Sequence, residues 1–160
     1  MRHDSQAPVY SRTAALLVLV NGAANAGKTV EEAGAIACVT DKWDEKEPEK
    51  NHKLVDYAGR CIIIPGDAAA PKSTEDCVGN YEFMPDESWK GAGTCTRTYK
   101  SGDKWFLKWE QGSQIKEGGV STITGGTGKY DGIKGSGTFV LENITDTMQG
   151  GTYKKKLELP

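Results

Sequence analysis

The chain has 160 residues, the size of one domain with room for a substantial apolar core and little space for a second. Its 20 basic and 22 acidic side chains leave a formal charge of -2 without any polybasic block, which disfavours partners held by bulk electrostatics, so no nucleic acid or anionic membrane is expected. Glycine is the outlier at 20 of 160 residues, against a usual share of roughly 7%, and its aperiodic spacing marks tight turns between many short strands.

Residues 1–26 read as a secretory signal peptide. Arg2 and Arg12 sit in a polar start, residues 14–20 (AALLVLV) are uniformly apolar, and Ala24, Asn25 and Ala26 fit the A-x-A cleavage pattern. The apolar run is far shorter than the ~20 residues of a membrane-spanning helix, so no stable membrane span is expected. The competing reading of this run is a buried first strand. The domain is then residues 27–160, with an extracytoplasmic location, periplasmic or secreted. Cys38, Cys61, Cys77 and Cys95 all fall in it, are even in number and form no CxxC pair. That pattern points to two disulfides in an oxidising compartment and to no metal site. Three pairings are open; Cys61–Cys77 would close a Pro/Gly-rich excursion between two strands and is favoured on that ground.

One motif competes with the leader. Residues 22–29 (GAANAGKT) satisfy the G-x-x-x-x-G-K-[ST] pattern, in which backbone N–H groups wrap phosphate, Lys28 would meet the β/γ-phosphates and Thr29 would bind magnesium. A P-loop needs a helix after it and a parallel sheet around it, and the sequence beyond residue 90 has scarcely any helical periodicity. P-loop nucleotide binding is therefore kept only as a minor alternative.

Taken in order, the predicted elements are strands. Residues 33–40 form the first, residues 41–51 (DKWDEKEPEKN) a charged loop, and residues 52–64 extended segments split near Ala58, Gly59 and Arg60. Residues 65–73 (PGDAAAPKS) form an exposed loop, and residues 77–84 resume a strand. The strongest hairpin joins Trp89–Tyr99 to residues 105–110, where Trp105, Leu107 and Trp109 share one face and Phe106, Lys108 and Glu110 the other. Residues 120–123, 133–143 and 151–159 complete the set; Phe139 and Leu141 share a face, as do Tyr153, Lys155, Leu157 and Leu159. About eight short antiparallel strands with glycines inside them suit a closed barrel, which removes sheet edges; a sandwich is the alternative.

Residues 124–139 (TGGTGKYDGIKGSGTF) resemble the GGTGKY-x-GI-x-G-x-GTF signature of exported bacterial proteins related to the allene oxide cyclase and dirigent barrels. Residues 89–95 (WKGAGTC), the turn through Gly102 and Asp103, and the closing Gly151, Thr152 and Tyr153 support it. The resemblance covers residues 89–159 well and 27–88 loosely. It implies an all-β, single antiparallel, eight-stranded closed barrel. It implies no single activity, because that superfamily contains cyclases, coupling-directing proteins and many exported proteins of other roles. In physical terms the glycines of this segment are turn and curvature devices, and Tyr130 is an apolar ring with a wet hydroxyl suited to capping one barrel mouth.

The leading expectation is an exported barrel that binds a small hydrophobic or aromatic ligand, or that is structural and without catalysis. Trp89, Tyr99, Trp105, Trp109, Tyr130 and Tyr153 are the candidates for lining or closing the space. An isomerase or cyclase acting in the cavity is the enzymatic alternative, with Glu82, Arg97 or Glu110 polarising the substrate; Glu142 is a further carboxylate on a strand. His52 is the only histidine of the proposed domain and reads as an exposed residue at a loop-to-strand boundary. No cofactor is expected, and a homo-oligomer is a third option that an apolar patch on the outer wall would support.

Overall fold

The computed structural model describes residues 27–116 and 118–160. The signal-peptide reading, and Gly22 to Ala26 of the P-loop pattern, lie outside them. Eight strands follow one another: β1 (Lys28–Glu49), β2 (His52–Pro65), β3 (Ser73–Phe83), β4 (Trp89–Tyr99), β5 (Lys104–Gly112), β6 (Gly119–Gly126), β7 (Lys134–Asn143) and β8 (Met148–Leu159). Each pairs antiparallel with the next and β8 pairs with β1, giving the expected closed barrel rather than a sandwich. The period-two alternation sets which residues face the lumen. Trp105, Leu107 and Trp109 are buried inside while Phe106, Lys108 and Glu110 face out, as the hairpin pattern predicts.

Several segments differ from the sequence reading. Lys28 and Thr29 open β1, so strand stands where a P-loop would need a helix. Residues 41–49 are not a loop but the far half of β1, paired with β2 down to a two-residue turn at Lys50 and Asn51. A register shift between Thr40 and Lys42 explains this. It turns Trp43 onto the lumen side, where its ring lies 5.4 Å from Tyr81 and 6.5 Å from Tyr57. The charges flanking Trp43 pair along the hairpin, as in Lys53–Glu45 at 2.7 Å. β2 runs unbroken through Ala58, Gly59 and Arg60.

Both disulfides join neighbours in the sequence of cysteines, Cys38–Cys61 and Cys77–Cys95, with Cα atoms 4.0 and 4.1 Å apart. The favoured Cys61–Cys77 link does not form, because the β2–β3 register sets Cys61 opposite Glu75 and Cys77 opposite Gly59. Each bridge instead ties directly opposed residues across one strand pair inside the barrel. Closing loops with sequence separations of 23 and 18 residues, each restricts the unfolded chain by an amount worth about 3 kcal/mol.

The two ends differ. At one, the turn after β6 runs into a 3-10 segment, Gly128–Tyr130, that folds over the opening. The Tyr130 ring lies 4.8 Å from Tyr99 and stacks 5.9 Å from Trp105, and buried Ile133 packs beneath it. Tyr130 therefore caps this mouth. At the other end, the rings of Trp43, Tyr57, Tyr81, Phe83 and Trp89 form a half-exposed cluster around the rim.

Large inward side chains lie over glycines of neighbouring strands. A Cβ added at Gly79 or Gly93 would meet Cζ2 of Trp109 at 2.5 or 2.7 Å, and one at Gly91 would enter the Tyr81 ring. Substituting Gly93→Ala should lower stability by about 1–3 kcal/mol by forcing Trp109 and the β3 backbone aside. Urea denaturation followed by tryptophan fluorescence reads this directly, and an unchanged midpoint would contradict it.

Candidate functional site

The charged groups of the lumen come from two cross-strand pairs on different walls. Register sets Glu75 of β3 opposite Arg97 of β4, and Glu32 of β1 opposite Lys155 of β8. Arg97 Nε donates to Glu75 Oε1 at 2.7 Å and Nη1 donates to Glu32 Oε1 at 2.8 Å. Lys155 Nζ donates to the same Glu75 oxygen at 3.3 Å. The Arg97 side chain is 1% exposed and the Glu75 side chain 6%, so this network is held out of water. Trp105 and Tyr153 cover its cations, with the guanidinium carbon 4.5 and 5.4 Å from their ring centres. Gly137 gives Lys155 its place: a Cβ there would lie 2.6 Å from the lysine Cγ.

Burial pushes the Glu75 carboxyl up, but Lys155 and Arg97 pull it further down, so it stays ionised below its usual range. Burial lowers the Lys155 ammonium to about 8 despite support from Glu75. Burial works against the Arg97 charge too, yet Glu75, Tyr99 and Glu32 raise its pKa overall.

Beside this network lies a cavity of about 50 Å³, with Glu75, Arg97 and Lys155 in its wall at the capped-end side. Its middle is bounded by Trp109, Ser121, Leu107, Tyr153 and both disulfides. It reaches the open rim at half-buried Tyr57, Tyr81, Leu141, Gln111 and Gln149. That volume takes a few waters or one small head group, well short of a drug-sized pocket of roughly 300 Å³ or more.

The named candidates distribute unevenly around it. Trp109, Tyr153 and Arg97 line the cavity. Tyr99, Trp105 and Tyr130 pack together at the capped end, and Trp89 stacks on Phe83 at the open rim, 6.2 Å between centres. Glu82 and Glu110 are not in the lumen. In β3 the inward phase runs through Glu75, Cys77 and Tyr81, which turns Glu82 outward to Lys90 at 2.8 Å and His52 at 2.9 Å. Glu110 lies on the outer face of β5 and Glu142 on that of β7, both exposed. The sequence reading missed both inward carboxylates, Glu32 and Glu75, although Glu75 stands two residues from Cys77 and must share its face. Ligand atoms of Glu75, Cys77 and Cys95 cluster within 4.8 Å, but both sulfurs are bridged to each other and Glu75 is engaged by two cations, so this set does not suit a metal.

The fold has known counterparts. The pterocarpan synthase dirigent protein GePTS1 superposes with a TM-score of 0.57 at 11% identity, covering 96% of this chain and 100% of that one. The pterocarpan synthase dirigent protein PsPTS1 gives 0.54 at 11% identity, covering 82% and 96%. No family model matches the sequence, and no curated protein does. The chain is thus a single closed eight-stranded antiparallel barrel of the allene oxide cyclase/dirigent-like fold, a likeness that concerns architecture alone. Among the described residues no helix is long and apolar enough to cross a membrane.

The buried lysine has a measurable signature. Between its folded value of about 8 and its ordinary 10.5, the unfolded chain binds more protons at Lys155 than the folded chain does, so this group makes stability rise with pH. Tyr81, Tyr99 and Tyr153, raised by burial from 10.0, oppose it once pH passes 10. The urea midpoint should therefore climb from pH 8 to 10 and do so less in Lys155→Met; identical profiles for the two proteins would refute the assignment.

Proposed function

We propose that this protein is an exported binding barrel that takes a small, largely apolar ligand through its open, aromatic end. The observation that carries this reading is the internal cavity: it reaches the rim past Tyr57 and Tyr81, while Tyr130 seals the opposite mouth. The apolar part of its wall would hold the body of the ligand, and the buried polar groups would select its orientation. Export is supported by the leader-like residues 1–26 and by two disulfides in the barrel interior. The signature in residues 124–139 points to exported bacterial relatives of this fold.

Catalysis by an internal acid gains little support. A cyclase would need a carboxylate of raised pKa against the cavity, and Glu75 is instead held ionised by Arg97 and Lys155. A filled structural barrel is the reading that the small cavity volume favours.

Self-association of copies of this chain is supported by the outer wall. Ile62, Ile64 and Val39 are 55, 42 and 41% exposed on adjoining faces of β1 and β2, and Met148 continues the patch on β8 beside Val39. Native mass spectrometry of protein purified from its own exported fraction, followed by denaturing intact mass, tests these points together. The expected result is a polypeptide beginning at Gly27, in a complex of several copies, carrying a small molecule that denaturation releases. A ligand-free particle from that source would favour the structural reading, and a retained Met1 would overturn export.

A further inference from the structure

The cavity wall presents hydrogen-bond donors that no protein group satisfies. Trp109 Nε1, Ser121 Oγ, Arg97 Nη2 and the Tyr153 hydroxyl are all buried without a hydrogen-bond partner, and their side chains line this one cavity. Trp109 and Ser121 are directly opposed across β5 and β6, so their unmet groups arise side by side. Arg97 Nη2 forms an ion pair with Glu75 Oε1 at 2.7 Å but makes no hydrogen bond to it. Each of these residues is at least nine-tenths buried. Among the described residues Ser73 Oγ and Trp105 Nε1 are likewise buried without a partner, but neither residue lines this cavity.

Two of these four groups can only donate, and the serine and tyrosine hydroxyls rotate to do so. The unmet demand is therefore for lone pairs on a group that has no proton of its own to place. Charge narrows the class further. The cations Arg97 and Lys155 are matched by Glu75 and Glu32 at 2.7 to 3.3 Å, so an added carboxylate would set a third anion against Glu75. A neutral oxygen acceptor meets the donors without disturbing that balance. The cavity of about 50 Å³ accommodates such a head group, and the remainder of the molecule lies beyond it at the open rim, against Tyr57 and Tyr81.

We propose that this cavity binds the carbonyl oxygen of an uncharged, largely apolar ketone, with Trp109, Ser121 and Arg97 as donors. The assignment rests on the ligand-binding reading above and adds the chemical class and the binding atoms. It involves no covalent step. A matched series sharing one aromatic ring tests it: acetophenone with a neutral carbonyl, benzoate with a carboxylate, and ethylbenzene with neither.

Titrating each compound into disulfide-intact, ¹⁵N-labelled protein, with the Trp109 indole N–H signal as readout, reports on the donor itself. Acetophenone should move that signal downfield and bind about tenfold or more tighter than ethylbenzene, with benzoate weaker than acetophenone. Ser121→Ala should narrow the gap between acetophenone and ethylbenzene. Equal binding of acetophenone and ethylbenzene, or preference for benzoate, would overturn the carbonyl assignment and leave the ligand-binding reading intact. If all three leave the Trp109 signal in place and none binds, the donors serve water alone, and both the assignment and the open-mouth reading fall.

Discussion

Lumen width is the constraint on which the rest of this structure depends. An eight-stranded barrel has an interior just wide enough for side chains to fill, so bulky inward residues need gaps on the strands beside them. Here the gaps are glycines. Gly79 and Gly93 admit Trp109, Gly91 admits Tyr81, Gly119 admits Phe139, and Gly137 admits the Lys155 stem. The abundance of glycine is thus a requirement of volume as much as of turns. The same arrangement decides where the barrel is solid: aromatic rings fill the capped end, and a small cavity runs from the charged network past the two disulfides to the open rim.

The charged network follows from that geometry. Ion pairs are costly to bury, and they persist when each charge finds several partners. Register supplies them here by setting Glu75 against Arg97 and Glu32 against Lys155, and closure of β8 onto β1 brings the two pairs together. A barrel lacking the β1–β8 contact would leave Arg97 and Lys155 to share Glu75 alone. The network therefore ties barrel closure to the chemistry of the lumen, with two cations set against two carboxylates.

Much of this was legible in the residues. The alternation of Trp105, Leu107 and Trp109 fixes an inward face, and the glycine-flanked Tyr130 marks a ring folded over a mouth. Other features needed register. The charges of residues 41–49 hide a strand, because only the shift between Thr40 and Lys42 shows that Trp43 faces inward. The cysteine pairing depends on which residues oppose one another, and the spacing along the chain does not reveal that. Glu82 and Glu75 lie on the same strand in opposite phase; choosing by strand membership selects the solvated one, whereas counting from Cys77 selects the buried one. Ser121 carried no signal of its own, since its role arises from standing across from Trp109.

The lumen holds a largely apolar cavity with unmet donors in its wall, open toward one end. A crystal structure of the disulfide-intact protein, at a resolution that places ordered waters, tests this most directly. Non-protein density is expected within hydrogen-bond reach of both Trp109 Nε1 and Ser121 Oγ, continuous toward the Tyr57–Tyr81 rim and blocked at Tyr130. A lumen closed by inward collapse of Phe139 or Leu107, with both donors bonded to protein acceptors, would contradict it.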